Sequence, residues 1–188
     1  MKASAIRQTA LAIALIAGFG LSTAICTPAL AANKAELDRE ARQALDHLVA
    51  TVAAAKALNA KSVAVLVFPA ITKAGFMIGG QYGEGVLWRR GKAVGYYKTT
   101  GASYGLQAGA QTYGYAMFFM KDKAVAALGT AEGFEVGVGP SVVVMDEGMG
   151  KSTTTTTMQD DIYAFIFSQK GLMAVLGIQG NKIDKIEN

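Results

Sequence analysis

Apart from Gly18 and Gly20, every one of the 22 glycines in this chain falls between Gly75 and Gly180, while Asn33 to Ala60 holds neither glycine nor proline. Glycines inside β-patterned sequence mark bends, bulges and close backbone approach. The chain therefore divides into a helical lead and a long glycine-bent sheet. Alternation of β-branched and aromatic residues with small ones predicts strands over Ser62–Phe68, Phe76–Trp88, Ala93–Lys98, Ser103–Met120, Phe134–Met145, Thr153–Ser168 and Leu172–Gln179. Arg89-Arg90-Gly91-Lys92 suits a hairpin, and Asp146 to Lys151 reads as a polar glycine-rich loop. Lys121 to Leu128 is a helical insertion, and the threonine run Thr153–Thr157 is accounted for by a half-exposed strand.

In the lead, Leu37, Ala41, Ala44, Leu45, Leu48, Val52 and Ala55 recur at three- and four-residue spacing, which predicts one amphipathic helix. Asn33 reads as its N-cap, with Glu36 three residues on, close to a capping box. The polar face balances Lys34, Arg39, Arg42 and Lys56 with Glu36, Asp38, Glu40 and Asp46. Membrane-surface helices favour Lys and Arg instead, so this helix is expected to cover a sheet. The expected fold is α+β: a strongly curved antiparallel sheet or partly closed barrel with a long N-terminal amphipathic helix packed on it.

No acidic residue precedes Glu36, and the chain begins with a basic tip (Lys2, Arg7), an apolar stretch from Ala10 to Leu21, and small residues ending Pro28-Ala29-Leu30-Ala31-Ala32. That order reads as a secretory signal peptide cut after Ala31, so residues 1–31 are removed and 32–188 form a single exported domain, periplasmic or secreted. The apolar stretch is too short to span a bilayer, which takes about 20 residues, and nothing later is apolar enough. Cleavage leaves 157 residues with 16 basic and 14 acidic side chains, a net charge of +2 in place of +4. So small a charge gives no warrant for nucleic-acid binding. It also removes Cys26, the only cysteine. The alternative is lipoprotein processing, which would cut before Cys26 and anchor the chain there; Ile25 fits that pattern poorly.

Catalytic motifs fail on their partners. Gly101-Ala102-Ser103-Tyr104-Gly105 matches the nucleophile elbow of serine hydrolases. The only histidine, His47, precedes the serine on the N-terminal helix, against the order of that fold, and the residues after Gly105 continue as a strand. Gly80 to Gly85 lacks the lysine of a phosphate-binding loop and the dinucleotide glycine order, so it reads as a glycine-kinked strand. Asp146-Glu147 and Asp160-Asp161 lack calcium-loop spacing, and no metal or other cofactor is expected. Trp88 beside Arg89, Arg90 and Lys92 sets an interfacial aromatic against three cations, suited to anionic headgroups; the bland reading is a basic turn beside a buried Trp.

Val65 to Phe76 (VLVFPAITKAGF), Gly79 to Leu87 (GGQYGEGVL), Gly101 to Gln111 (GASYGLQAGAQ) and Phe167 to Leu172 (FSQKGL) together resemble the SYLF domain family, over roughly residues 35 to 183. The resemblance gives Gly101–Gly105 an explanation other than an elbow. It implies a lipid-binding module, since eukaryotic SYLF proteins bind phosphoinositides and some yeast members bind and bundle actin. In a bacterial envelope actin has no place, and anionic phospholipid is the nearest counterpart. Eukaryotic members use a basic N-terminal segment at membranes; here a removable signal and a charge-balanced helix stand in that place. The expectation is a non-catalytic lipid- or membrane-surface-binding domain with Lys73, Trp88, Arg89, Arg90 and Lys92 as contacts, each cation contributing about 1 kcal/mol near an anionic surface and losing it as salt rises. The alternatives are an envelope structural or protein-interaction module with no specific lipid ligand and, third, a serine hydrolase.

Overall fold

The computed structural model describes residues 27–129, 134–135, 141–146 and 159–187. The basic tip and apolar stretch of the expected signal peptide, Cys26, the loop beyond Asp146 and the threonine run lie outside the described residues. Helices α1 (Thr27–Thr51) and α2 (Ala53–Lys61) lead into β1 (Ala64–Arg89) and β2 (Lys92–Phe119). A short helix α3 (Asp122–Ala126) and a 3-10 turn (Ala127–Gly129) follow, then β3 (Phe134–Glu135), β4 (Val142–Asp146) and β5 (Ile162–Lys185). The fold is α+β with a curled, partly closed sheet, as expected. Among the described residues the sheet runs β1-β2-β5-β3, with β4 pairing β5 in parallel.

Six of the expected strands merge into three. Ser62–Phe68 and Phe76–Trp88 are one strand, as are Ala93–Lys98 with Ser103–Met120, and Thr153–Ser168 runs on into Leu172–Gln179 from Ile162. The intervening glycines bend the ladder without ending it. A Cβ on Gly75 would lie 2.4 Å from the Cα of Gly79, one on Gly83 2.8 Å from the side chain of Ile71, and one on Gly85 2.6 Å from the ring of Phe68. These contacts all centre near residue 77. β1 therefore folds back on itself there, and β2 follows in antiparallel register on both arms, from Ala64↔Phe119 to Arg89↔Lys92. β5 follows β2 in turn, from Phe119↔Ile162 to Tyr97↔Lys185. Pro69, which has no N–H to give a ladder, sits where the β1–β2 register shifts between Phe68 and Ile71.

Period-two alternation splits the core between the two faces. Val65, Val67, Val86, Trp88, Ala116, Phe118, Tyr163 and Phe165 join the helices in one cluster, where Phe118 and Phe165 meet edge to face with ring centroids 5.7 Å apart. Ala64, Leu66, Phe68, Leu87, Met117, Phe119 and Ile162 fill the other, inside the curl, closed by Ala124, Leu128 and Phe134.

All seven apolar positions expected of the helical lead pack in the helix-side cluster. Two details differ from the sequence expectation. The helix breaks at buried Val52, whose backbone is extended (φ −120°, ψ 109°), and α2 starts afresh against the sheet with Ala54, Ala55 and Leu58 buried. Asn33 is not an N-cap, because α1 already begins at Thr27. The polar face of α1 takes part in docking: the Tyr96 hydroxyl donates to Asp38 Oδ2 at 3.2 Å, and the Arg42 guanidinium lies 5.2 Å from the centre of the Trp88 ring.

Candidate functional site

Folding β1, β2 and β5 about residue 77 gives the sheet two ends. At one, β1 and β2 join through Arg90 (φ 51°) and Gly91 (φ 76°), whose two positive φ values make the tight turn that matches strand twist. Four of the five expected contact residues are here, and they are not equivalent. Trp88 is 6% exposed, part of the core beneath Arg42, so its ring is not available for insertion into a headgroup layer. Arg89 is ion-paired with Asp122. Arg90 and Lys92 are exposed at the turn. Carboxylates share this end: Asp46 lines the cavity beside Trp88 and Arg90, and Asp161 is held by Lys121 at 2.8 Å and Lys123 at 3.4 Å.

The fifth residue, Lys73, is not brought to the hairpin. It sits on the first arm of β1, opposite Gln111 and near the fold line, and is only 5% exposed. Burial lowers its pKa from the ordinary lysine value.

The fold line carries the feature that sequence reasoning missed. Phe76, Met77 and Ile78 are 77%, 53% and 67% exposed, and Tyr104, paired with Ile78, is 68% exposed. Consecutive strand residues ordinarily alternate between faces. Here the β1–β2 register shifts between Phe76 and Ile78, and Met77 takes a positive φ of 60°, so all three side chains project outward from one crest. Ala108, opposite Phe76, is exposed as well. The strands that cross the crest carry no Asp or Glu from Ala64 to Gly83, from Thr99 to Met120, or from Ile162 to Asn181. A signal was present in the sequence: three large apolar residues in a row between Gly75 and Gly79, where a half-buried strand would alternate.

Between the arms lies a cavity of about 220 Å³ lined by Ile71, Gln81, Thr99, Tyr113 and Asn181 among others. The Tyr113 hydroxyl donates to Gln81 Oε1 at 3.1 Å. It is smaller than the roughly 300–1,000 Å³ of common small-molecule sites. Ser103 is buried in mid-strand opposite Gly79, with no strand-turn-helix elbow around it, and His47 is exposed on α1. Among the described residues no three His, Cys, Asp or Glu side chains gather as metal ligands, and no helix is long and apolar enough to cross a membrane.

Residues 100–188 match the family model Ysc84, described as Las17-binding protein actin regulator. This match is consistent with a SYLF domain. The match starts within β2 and takes in all of β5, so the matched region contributes to two of the three strands that cross the crest, while β1 with Phe76, Met77 and Ile78 precedes it. No curated protein matches this chain.

Proposed function

We propose that the chain is a non-catalytic lipid- or membrane-surface-binding domain of the bacterial cell envelope, and that it meets the bilayer with the crest at residues 76–78 and 104. One observation carries this reading: four large apolar side chains stand exposed together at one end of a sheet whose crossing strands hold no carboxylate there. Apolar surface gathered this way marks an interaction site, and complete burial of a Phe, Ile or Met side chain is worth about 1.5–3 kcal/mol each. Further along β1 the half-exposed Tyr82, an aromatic of interfacial preference, donates its hydroxyl to Glu84, where the carboxylate-free stretch ends. The match to the Ysc84 model supports a lipid- or actin-related binding role in general, and the lead sequence that reads as a signal peptide favours the envelope.

The test is co-sedimentation of the purified chain with phospholipid vesicles, beside the double variant Phe76→Ser/Ile78→Ser and the hairpin variant Arg90→Gln/Lys92→Gln. Binding lost in the crest variant and kept in the hairpin variant is the expected result. Loss only in the hairpin variant would move the contact to the other end of the sheet. If the unaltered chain ignores every vesicle, and envelope extract yields a protein bound through the crest, the chain is a protein-interaction module instead.

A further inference from the structure

Resting on the membrane-surface reading, we infer that the crest recognises gaps in bilayer packing, where acyl chains show between headgroups, in preference to headgroup charge. The shape is the first reason. Gly75 and Gly79 approach so closely that a Cβ on Gly75 would sit 2.4 Å from the Cα of Gly79, and the left-handed Met77 stands at the apex. The result is a narrow apolar projection on a hydrogen-bonded sheet, preformed and too stiff to flatten along a surface. Such a wedge needs a void to enter, and a tightly packed planar bilayer offers few.

The second reason is the charge count around it. From Thr99 to Met120 β2 has no charged residue, β5 carries Lys170 alone from Ile162 to Asn181, and β1 carries Lys73 alone from Ala64 to Gly83. Lys73 is buried; Lys170 is exposed four residues from the crest on β5, and Lys182, four residues away on the other arm, is paired with Asp184. A lysine at an anionic surface contributes less than complete burial of a crest Phe, Met or Ile side chain. Apolar insertion therefore dominates, and an amphipathic surface poor in cations responds to curvature and acyl packing more than to anionic lipid. Arg90 and Lys92 do not change this balance, since twelve residues of strand, about 40 Å of chain, separate the turn from Met77.

The experiment titrates the purified chain with vesicles that vary one property at a time: diameter, acyl unsaturation, anionic fraction and salt. Partitioning about threefold or more stronger on small or unsaturated vesicles, and changed less than about twofold by anionic lipid or salt, is expected when insertion dominates. A Phe76→Trp variant adds a position readout, because brominated acyl chains quench a tryptophan that reaches the hydrocarbon. Binding that tracks anionic fraction and collapses in salt overturns the inference while leaving the membrane reading intact. So does binding with the Phe76→Trp emission unquenched. Absence of binding to every vesicle overturns the membrane reading itself.

Discussion

The ring of Phe68 occupies the space in which a side chain at Gly85 would begin: a Cβ there would lie 2.6 Å from Phe68 Cδ1 and 2.6 Å from the carbonyl oxygen of Val67. One arm of β1 is thereby pressed onto the other. Gly85→Ala should destabilise the fold by about 1–3 kcal/mol, the usual cost of overpacking, lowering Tm by roughly 2–4 °C per kcal/mol in a chain of this size. Gly80→Ala is the control, since its added Cβ would meet nothing nearer than the Gly101 carbonyl oxygen at 3.8 Å. Thermal melts of the two variants check the difference; equal melts would mean that the arms do not touch.

Trp88 reports on whether the hairpin residues face lipid. With its ring in the core under Arg42, it should emit in the blue, resist acrylamide, and change little when vesicles are added. Arg42→Ala should cost about 0.5–1 kcal/mol through the lost cation–π contact and move the emission toward the red. Strong quenching of Trp88 by brominated lipid would restore the hairpin as the membrane contact.

Asp161 couples the start of β5 to the residues around α3. The Lys121 hydrogen bond, reinforced by Lys123, holds its carboxyl below the ordinary aspartate value. A carboxylate with a folded-state pKa below the unfolded one stabilises the fold fully above the unfolded value and loses that contribution as pH falls through the folded one. The stability difference between the unaltered chain and Asp161→Asn should therefore be level from neutral pH down to about 4, then shrink as acid protonates the carboxyl. Denaturant melts over that series check it; a difference independent of pH would show that the ion pairs contribute nothing.

Much of the fold was legible because it rests on periodicity. A 3.6-residue repeat put Leu37, Ala41, Ala44, Leu45, Leu48, Val52 and Ala55 on one helical face; Ala41, Leu48, Val52 and Ala55 are buried in the core and the other three pack against it half-buried. The break at Val52 left no sequence mark, since no glycine or proline announces it. Glycine positions showed that the sheet bends, yet the same residues suggested strand ends, because a glycine inside a ladder and a glycine between strands look alike until the pairing register is known. The expected contact residues were chosen by type and proximity in sequence. That criterion identified Arg90 and Lys92 at an exposed turn, but not that Trp88 faces inward or that Lys73 lies on the far side of the fold.

The sequence by itself determined a glycine-free helical lead, a glycine-bent sheet, the absence of a serine-hydrolase order around Ser103, and the SYLF resemblance, since each is a matter of residue type and spacing along the chain. Only the tertiary structure decided that Met77 is the apex of a doubled strand, with Phe76, Ile78 and Tyr104 exposed beside it. The physical reason is that exposure belongs to the packed sheet and not to the residue: Phe68 and Phe76 are chemically the same, and the fold buries one against Gly85 while leaving the other in solvent.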